Sequence, residues 1–230
     1  MARKKILFVI VEGPSDEDAL GVILSRYYNP DVVYLHVMHC DITTRNDVSP
    51  SNVISKVAEE IKDYARRYHY MQNKSYIFKE IVHIVDMDGA YINNNNIVEN
   101  PSATSLIYSE TAIQTYRKAA IEERNKQKRE NLNKLTTTSE IWGIPYSVYY
   151  MSSNLEHVLF NKLNCTDEEK EKLALDFANQ YKNNIDDFCK YMCASNFSVT
   201  GDYRESWEFI KEGNRSLERH TNFGLCLSSK

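Results

Sequence analysis

The chain lacks an excess of basic charge. Its 28 Lys and Arg stand against 32 Asp and Glu, a formal charge of −4. That excludes a protein that holds nucleic acid through a broad positive field, so such a partner must be gripped at a local patch or through metal ions. No apolar run approaches the roughly 18 residues needed to span a bilayer, and no membrane contact is expected. The basic start before Ile6–Val11 imitates a secretory leader, but the run is short and Glu12 ends it, so a cytoplasmic protein is the expectation. The 5 cysteines are odd in number and lack paired spacing, which argues against a disulfide framework. Cys189 and Cys193, four apart, could share a helix face, where buried thiols rather than zinc ligands are the expectation. His36, His39 and Cys40 sit close in sequence, yet on a strand the two histidines point to opposite faces, which argues against a metal cluster there. No Gly-Lys-Ser/Thr occurs, so a P-loop ATPase is excluded. No internal repeat is present.

What is there is a chain of 230 residues, 42% hydrophobic, enough for one sizeable core. Lys4 to Val11 is a continuous apolar run, as expected of a strand buried on both faces of a parallel sheet. Ser15 is placed to cap a helix carrying Ala19, Leu20, Ile23, Leu24 and Tyr27, which Asn29-Pro30 stops. Val32 to Met38 reads as a second strand. Ser49-Pro50 opens a second helix with Ile54, Val57, Ala58, Ile61, Tyr64 and Ala65 on one face. Phe78 to Val85 and Tyr146 to Met151 read as the third and fourth strands, the last followed by a helix through Leu155, Val158, Leu159 and Leu163. The alternation predicts an α/β fold: a Rossmann-like, mostly parallel four-stranded sheet flanked by helices. Residues 91–140 form a helical insertion whose second half, "EERNKQKREN", has almost no apolar face and predicts a solvated helix projecting from the body. Residues 165–230 read as a helical C-terminal region packed on the same domain.

In an open α/β sheet, ligands bind outside the carboxyl ends of the strands. Glu12 ends the first strand, Asp86 and Asp88 end the third, and Glu156 follows the fourth. Asp86 and Asp88 are two apart, so on extended backbone both side chains face the same way. Acids converging at one sheet edge are costly unless a cation joins them. Oxygen ligands without His or Cys neighbours favour Mg²⁺ or Mn²⁺ over zinc. Asp16 is a further candidate, though an acid in a first helical turn also complements the helix dipole. Glu156 has a rival role too, because Ser153-x-x-Glu156 has the form of a capping box.

Glu12-Gly13 after a first apolar strand, with Asp86-x-Asp88 ending a later one, resembles the Toprim domain. The longer "VEGPSDE" is most similar to its nuclease branch, including OLD-family, RloB-like and abortive-infection effectors. The resemblance covers about residues 4 to 160 and implies a catalytic domain at 1–164. Asp16 matches the acid that follows the glutamate by four positions, and Asn154-Leu155-Glu156 is similar to a later Asp-Leu-Glu element, with Asn replacing Asp. Implied are a metal-dependent nuclease acting on DNA or RNA, catalytic Glu12, Asp86 and Asp88, and metal ligands Glu12, Asp16, Asp86, Asp88 and Glu156. A role in anti-phage defence beside a separate ATPase subunit is also implied, with a homo-oligomer possible. The late basic residue of such nucleases is not assignable by pattern. Lys126, Lys128 and Arg129, in the densest basic stretch, are the expected substrate contacts, with partner binding as the competing use of that arm.

Two alternatives stand beside this reading. "VDMDGAY" also resembles the Asp-x-Asp-Gly opening of haloacid-dehalogenase phosphatases, but those carry it on the first strand, usually followed by Thr where this chain has Ala90. A catalytically silent Toprim-like binding module would retain the same fold without turnover.

Overall fold

The computed structural model describes residues 4–28, 33–39, 41–70 and 76–228. Strand β1 (Lys4–Val11) feeds helix α1 (Pro14–Tyr27), then β2 (Val33–His39), α2 (Val53–Arg67) and β3 (Tyr76–Asp86). The two faces of β1 explain the layering. Leu7, Val9 and Val11 pack with Ala19, Leu20, Ile23 and Leu24 of α1, while Ile6, Phe8 and Ile10 pack with Val53, Val57 and Ile61 of α2. A strand apolar on both sides thus acquires a helix on each. The Asn29-Pro30 stop and Cys40 lie outside the described residues, as do the side chains of His36 and His39.

After the insertion, β7 (Glu140–Ile141) turns through Trp142 and Gly143, both at positive φ, into β8 (Ile144–Met151), the two-residue turn suited to a tight hairpin. The sheet order is β2-β1-β3-β8-β7, parallel except for β7. The expected four-stranded sheet is therefore corrected to a mixed five-stranded one, because the segment before β8 folds back along it. Since β1 connects outward to β2 and β3 connects the other way to β8, the order reverses between β1 and β3. Their carboxyl ends flank the crevice where such sheets bind ligands.

The insertion is not a projecting arm. It builds a small sheet of β4 (Ile97–Glu99), β5 (Ile107–Tyr108) and β6 (Ile113–Thr115), followed by α3 (Lys118–Thr136). Along α3, Asn125, Lys128, Asn131, Leu132 and Leu135 are buried at helical spacing. The solvated helix expected from composition is corrected: α3 buries a face that is mostly polar, which a search for apolar periodicity passes over.

Helices α4 (Leu155–Phe160), α5 (Asp167–Tyr181), α6 (Ile185–Ala194), α7 (Tyr203–Ile210) and α8 (Gly224–Ser228) complete both cores. Phe177, Phe188 and Phe223 join the α1 side, and Trp207 and Ile210 the α2 side. No helix among the described residues is long and apolar enough to cross a membrane.

Candidate functional site

Helix α1 starts earlier than a Ser15 cap would place it. Gly13 is the N-cap and Pro14 occupies the first turn, where its missing N–H costs nothing. The Asp16 carboxylate accepts the Gly13 N–H at 2.9 Å, which ties that acid to the residue after Glu12. Asp86 is the last residue of β3, alternating with Val82 and Ile84 on the α1 side of the sheet. Asp88 is different: its φ is 49°, so it has left the extended backbone on which two acids spaced by two would face alike. The turn is pinned to β8, with Met87 N–H donating to Met151 O and Asp88 N–H to Ser153 O, each at 2.8 Å. Gly89 follows at φ 70°, and a Cβ there would stand 2.8 Å from Leu217, so only glycine fits without displacement.

What joins Asp88 to Glu12 is Lys128 from α3. Its ammonium lies 3.1 and 3.2 Å from the two Glu12 oxygens and 2.5 Å from Asp88 Oδ2. The lysine side chain is fully buried. Tyr108 donates its hydroxyl to Asp88 Oδ1 at 3.3 Å and accepts from Arg124 Nη1 at 3.0 Å. Arg124, Asn125 and Arg129 donate to the carbonyls of Asp88, Gly89 and Ala90. Asn131 and Gln127 reach the carbonyls of Thr43, Arg45 and Val48. Helix α3 is thus a roof fastened over the ends of β1 and β3. Of the three expected substrate contacts only Lys126 is exposed. Lys128 is committed to Glu12 and Asp88, and Arg129 to a backbone carbonyl, so they do not form one outward surface.

A second group of acids lies toward α4 and α5. Glu156 is 3% exposed, and Lys170 of α5 is 3.9 Å from its carboxylate. The capping-box expectation is corrected here. Asn154 is the N-cap, accepting the His157 N–H at 2.9 Å, while Ser153 adopts φ 52° and donates its hydroxyl to Leu217 O. The Glu156 carboxylate caps no helix among the described residues. His157 is buried, its Nδ1 meets no hydrogen-bond partner among the described residues, and Nε2 stands 3.7 Å from exposed Glu110.

The electrostatics connect the two groups. Burial pushes Glu12 up to about 8 against the pull of Lys128, with Asp41 and Asp88 adding repulsion. Burial, aided by the Glu156 charge, pushes Asp16 up to about 6 although the Gly13 N–H opposes it. Asp86 is raised well above the usual range by burial and then by Asp16, Glu12 and Asp88. Asp88 is also buried, but Lys128 and Arg124 outweigh that and lower it. Lys128 overcomes its own burial through Asp88 and Glu12 and is raised, holding its charge. Neutral His83 beneath the site, lowered to about 3 by burial, bonds Tyr146 through Nδ1 at 2.8 Å.

The acids at the site offer only oxygen donors, which suits a hard divalent ion. Asp86 accepts no hydrogen bond from any described residue, leaving its oxygens open to a ligand. Among the described residues, no three His, Cys, Asp or Glu side chains are gathered at metal-ligand spacing. At the Glu12–Asp88 edge the reason is visible, since an ammonium stands between the carboxylates. The sequence reading missed Lys128, Arg124 and Tyr108 as partners of Asp88. The signal for Lys128 was the spacing of Asn125, Lys128, Asn131 and Leu135, legible as a helix face once polar residues are admitted to it; Arg124 lies beside that face, and Tyr108, on β5, carried no such signal.

The fold defines a class, an α/β protein with a mixed five-stranded sheet flanked by helices, and acidic residues stand at the ends of β1 and β3. Comparison of the chain with protein-family models, curated proteins and solved structures returns no match.

Proposed function

We propose that the chain is a divalent-metal-dependent nuclease hydrolysing phosphodiester bonds in DNA or RNA. The observation carrying this reading is that Glu12 and Asp88 lie close enough to Asp86 to add to burial in raising it, where the ends of β1 and β3 flank the switch point. Glu12, Asp86 and Asp88, with Asp16 and Glu156, would hold one or two Mg²⁺ or Mn²⁺ ions. Bound there, the metal would orient a water and stabilise charge developing on the scissile phosphate. Arg124 and Lys128 place fixed positive charge beside the same carboxylates, and Tyr108 supplies a hydroxyl at Asp88. Exposed Lys126 is free to meet a phosphate backbone. The Toprim resemblance adds anti-phage defence beside a separate ATPase subunit as the setting.

One observation favours a second reading, a silent binding module. Lys128 closes ion pairs with both Glu12 and Asp88, as a purely structural network would. Cleavage assays on DNA and RNA panels with Mg²⁺ or Mn²⁺ separate the two. Metal-dependent cleavage that disappears in Asp86→Asn is the expected result. Complete inactivity on every substrate, with an Asp86→Asn variant indistinguishable from wild type in metal response, would leave the binding module as the better account.

A further inference from the structure

Lys128 has the wrong charge for a cation site, yet it occupies the edge that joins the two strand-end acids. Both Glu12 oxygens contact its ammonium, and Asp88 is used on both sides, by Lys128 at Oδ2 and Tyr108 at Oδ1. A Mg²⁺ binds carboxylate oxygens at roughly 2.1 Å. On that edge it would fall within contact distance of the ammonium, which lies 2.5 Å from Asp88. The two cations exclude one another. Asp86, by contrast, meets no hydrogen-bond donor among the described residues.

Helix α3 does not depend on Lys128 for its position. Arg124, Asn125 and Arg129 hold it to the 88–90 turn, and Gln127 and Asn131 hold it to the 43–48 loop. Breaking the Lys128 contacts would therefore leave the helix tethered at both places.

We propose that the Lys128 ammonium is a resident counter-ion at the Glu12–Asp88 edge and leaves that edge when a divalent cation binds. The inference rests on the reading above that these carboxylates take metal. It makes the site a device with two states. The lysine holds the acids together at low metal, and metal must displace a buried ion pair to enter, which tempers its affinity.

The test is the ¹H–¹⁵N spectrum of the lysine side-chain ammonium groups in the full chain. An ammonium locked between two carboxylates and shielded from water exchanges slowly enough to observe, and Lys128→Arg identifies the signal by removing it. Saturating Mg²⁺ is expected to abolish the signal as Nζ is released to solvent. In parallel, calorimetry should show Lys128→Met binding Mn²⁺ about tenfold more tightly than wild type, because no ion pair has to be broken. A Lys128 signal that survives at saturation, with metal binding demonstrated by calorimetry, overturns the exchange and leaves the metal reading standing. Metal bound by Lys128→Met but not by wild type supports the exchange. No binding by either protein removes the metal reading and the exchange with it.

Discussion

Glu156 is the second residue of α4 and is 3% exposed, a burial that an acid rarely tolerates without a purpose. Its backbone duties fall to Asn154, whose side chain accepts the His157 N–H. The two residues are therefore separable. Glu156→Gln removes a carboxylate without removing a cap, so the melting temperature without metal should stay close to wild type while the Mn²⁺-induced rise shrinks. Asn154→Ala should do the reverse, costing about 1 kcal/mol in denaturant melts and leaving the metal response in place. A Glu156→Gln variant with the full metal-induced rise would take Glu156 out of the site. The sequence supported both roles for Glu156, since Ser153-x-x-Glu156 has the right spacing for a cap. What it did not carry is the positive φ at Ser153, which comes from Ser153 being bonded to Leu217 and Ser216 some 60 residues away in the chain. That constraint is tertiary.

Among the elements, the strands were the most legible, because β1 and β3 are apolar enough to declare burial on both faces. Helix α3 was the least legible. Its inward face carries Asn125, Lys128 and Asn131, and these residues are stable there only because carbonyls and carboxylates from elsewhere meet them. Composition alone read them as solvated. Lys126 and Lys128 make the difference measurable, being neighbours in sequence and opposite in surroundings. Lys126→Ala should leave stability within about 0.5 kcal/mol of wild type. Lys128→Ala strips the partner from Glu12 and Asp88, whose side chains are 11% and 23% exposed. Breaking a buried pair from one side costs about 3–5 kcal/mol. That loss should grow with pH, because acid lets the orphaned carboxylates protonate. Chemical melts at acid and alkaline pH would check it, and equal, small losses for both lysines would mean that the Lys128 ion pairs are not the buried contact described.

For the whole molecule, both cores are closed by residues beyond 165, so a 1–164 fragment should not fold alone; a cooperative melt from that fragment would refute this. The integrity of the complete chain is also tied to the charge state of its site. Unfolded, Glu12 and Asp16 titrate in the usual carboxylate range, near 4.5 and 3.8; folded, burial raises them to about 8 and about 6, and Asp86 rises with them. Across that window the folded protein binds more protons than the unfolded chain, so their contribution to stability declines as pH increases. Asp88 runs the other way. Lowered when folded against its own burial, by Lys128 and Arg124, it stabilises above its unfolded value and loses that contribution in acid. Three raised acids against one lowered give the expected sign: with chelator present, the melting temperature should fall between about pH 5 and about pH 8. A divalent cation reverses the slope, because it binds the deprotonated carboxylates and its affinity rises as they lose their protons. The Mg²⁺-induced gain should therefore be larger at the alkaline end, with protons released on binding. Titration calorimetry in buffers of different ionisation enthalpy would count those protons. If the melting temperature in chelator is flat across the window, or the Mg²⁺ gain is the same at both ends, the raised carboxylates are not what links this fold to its ligand.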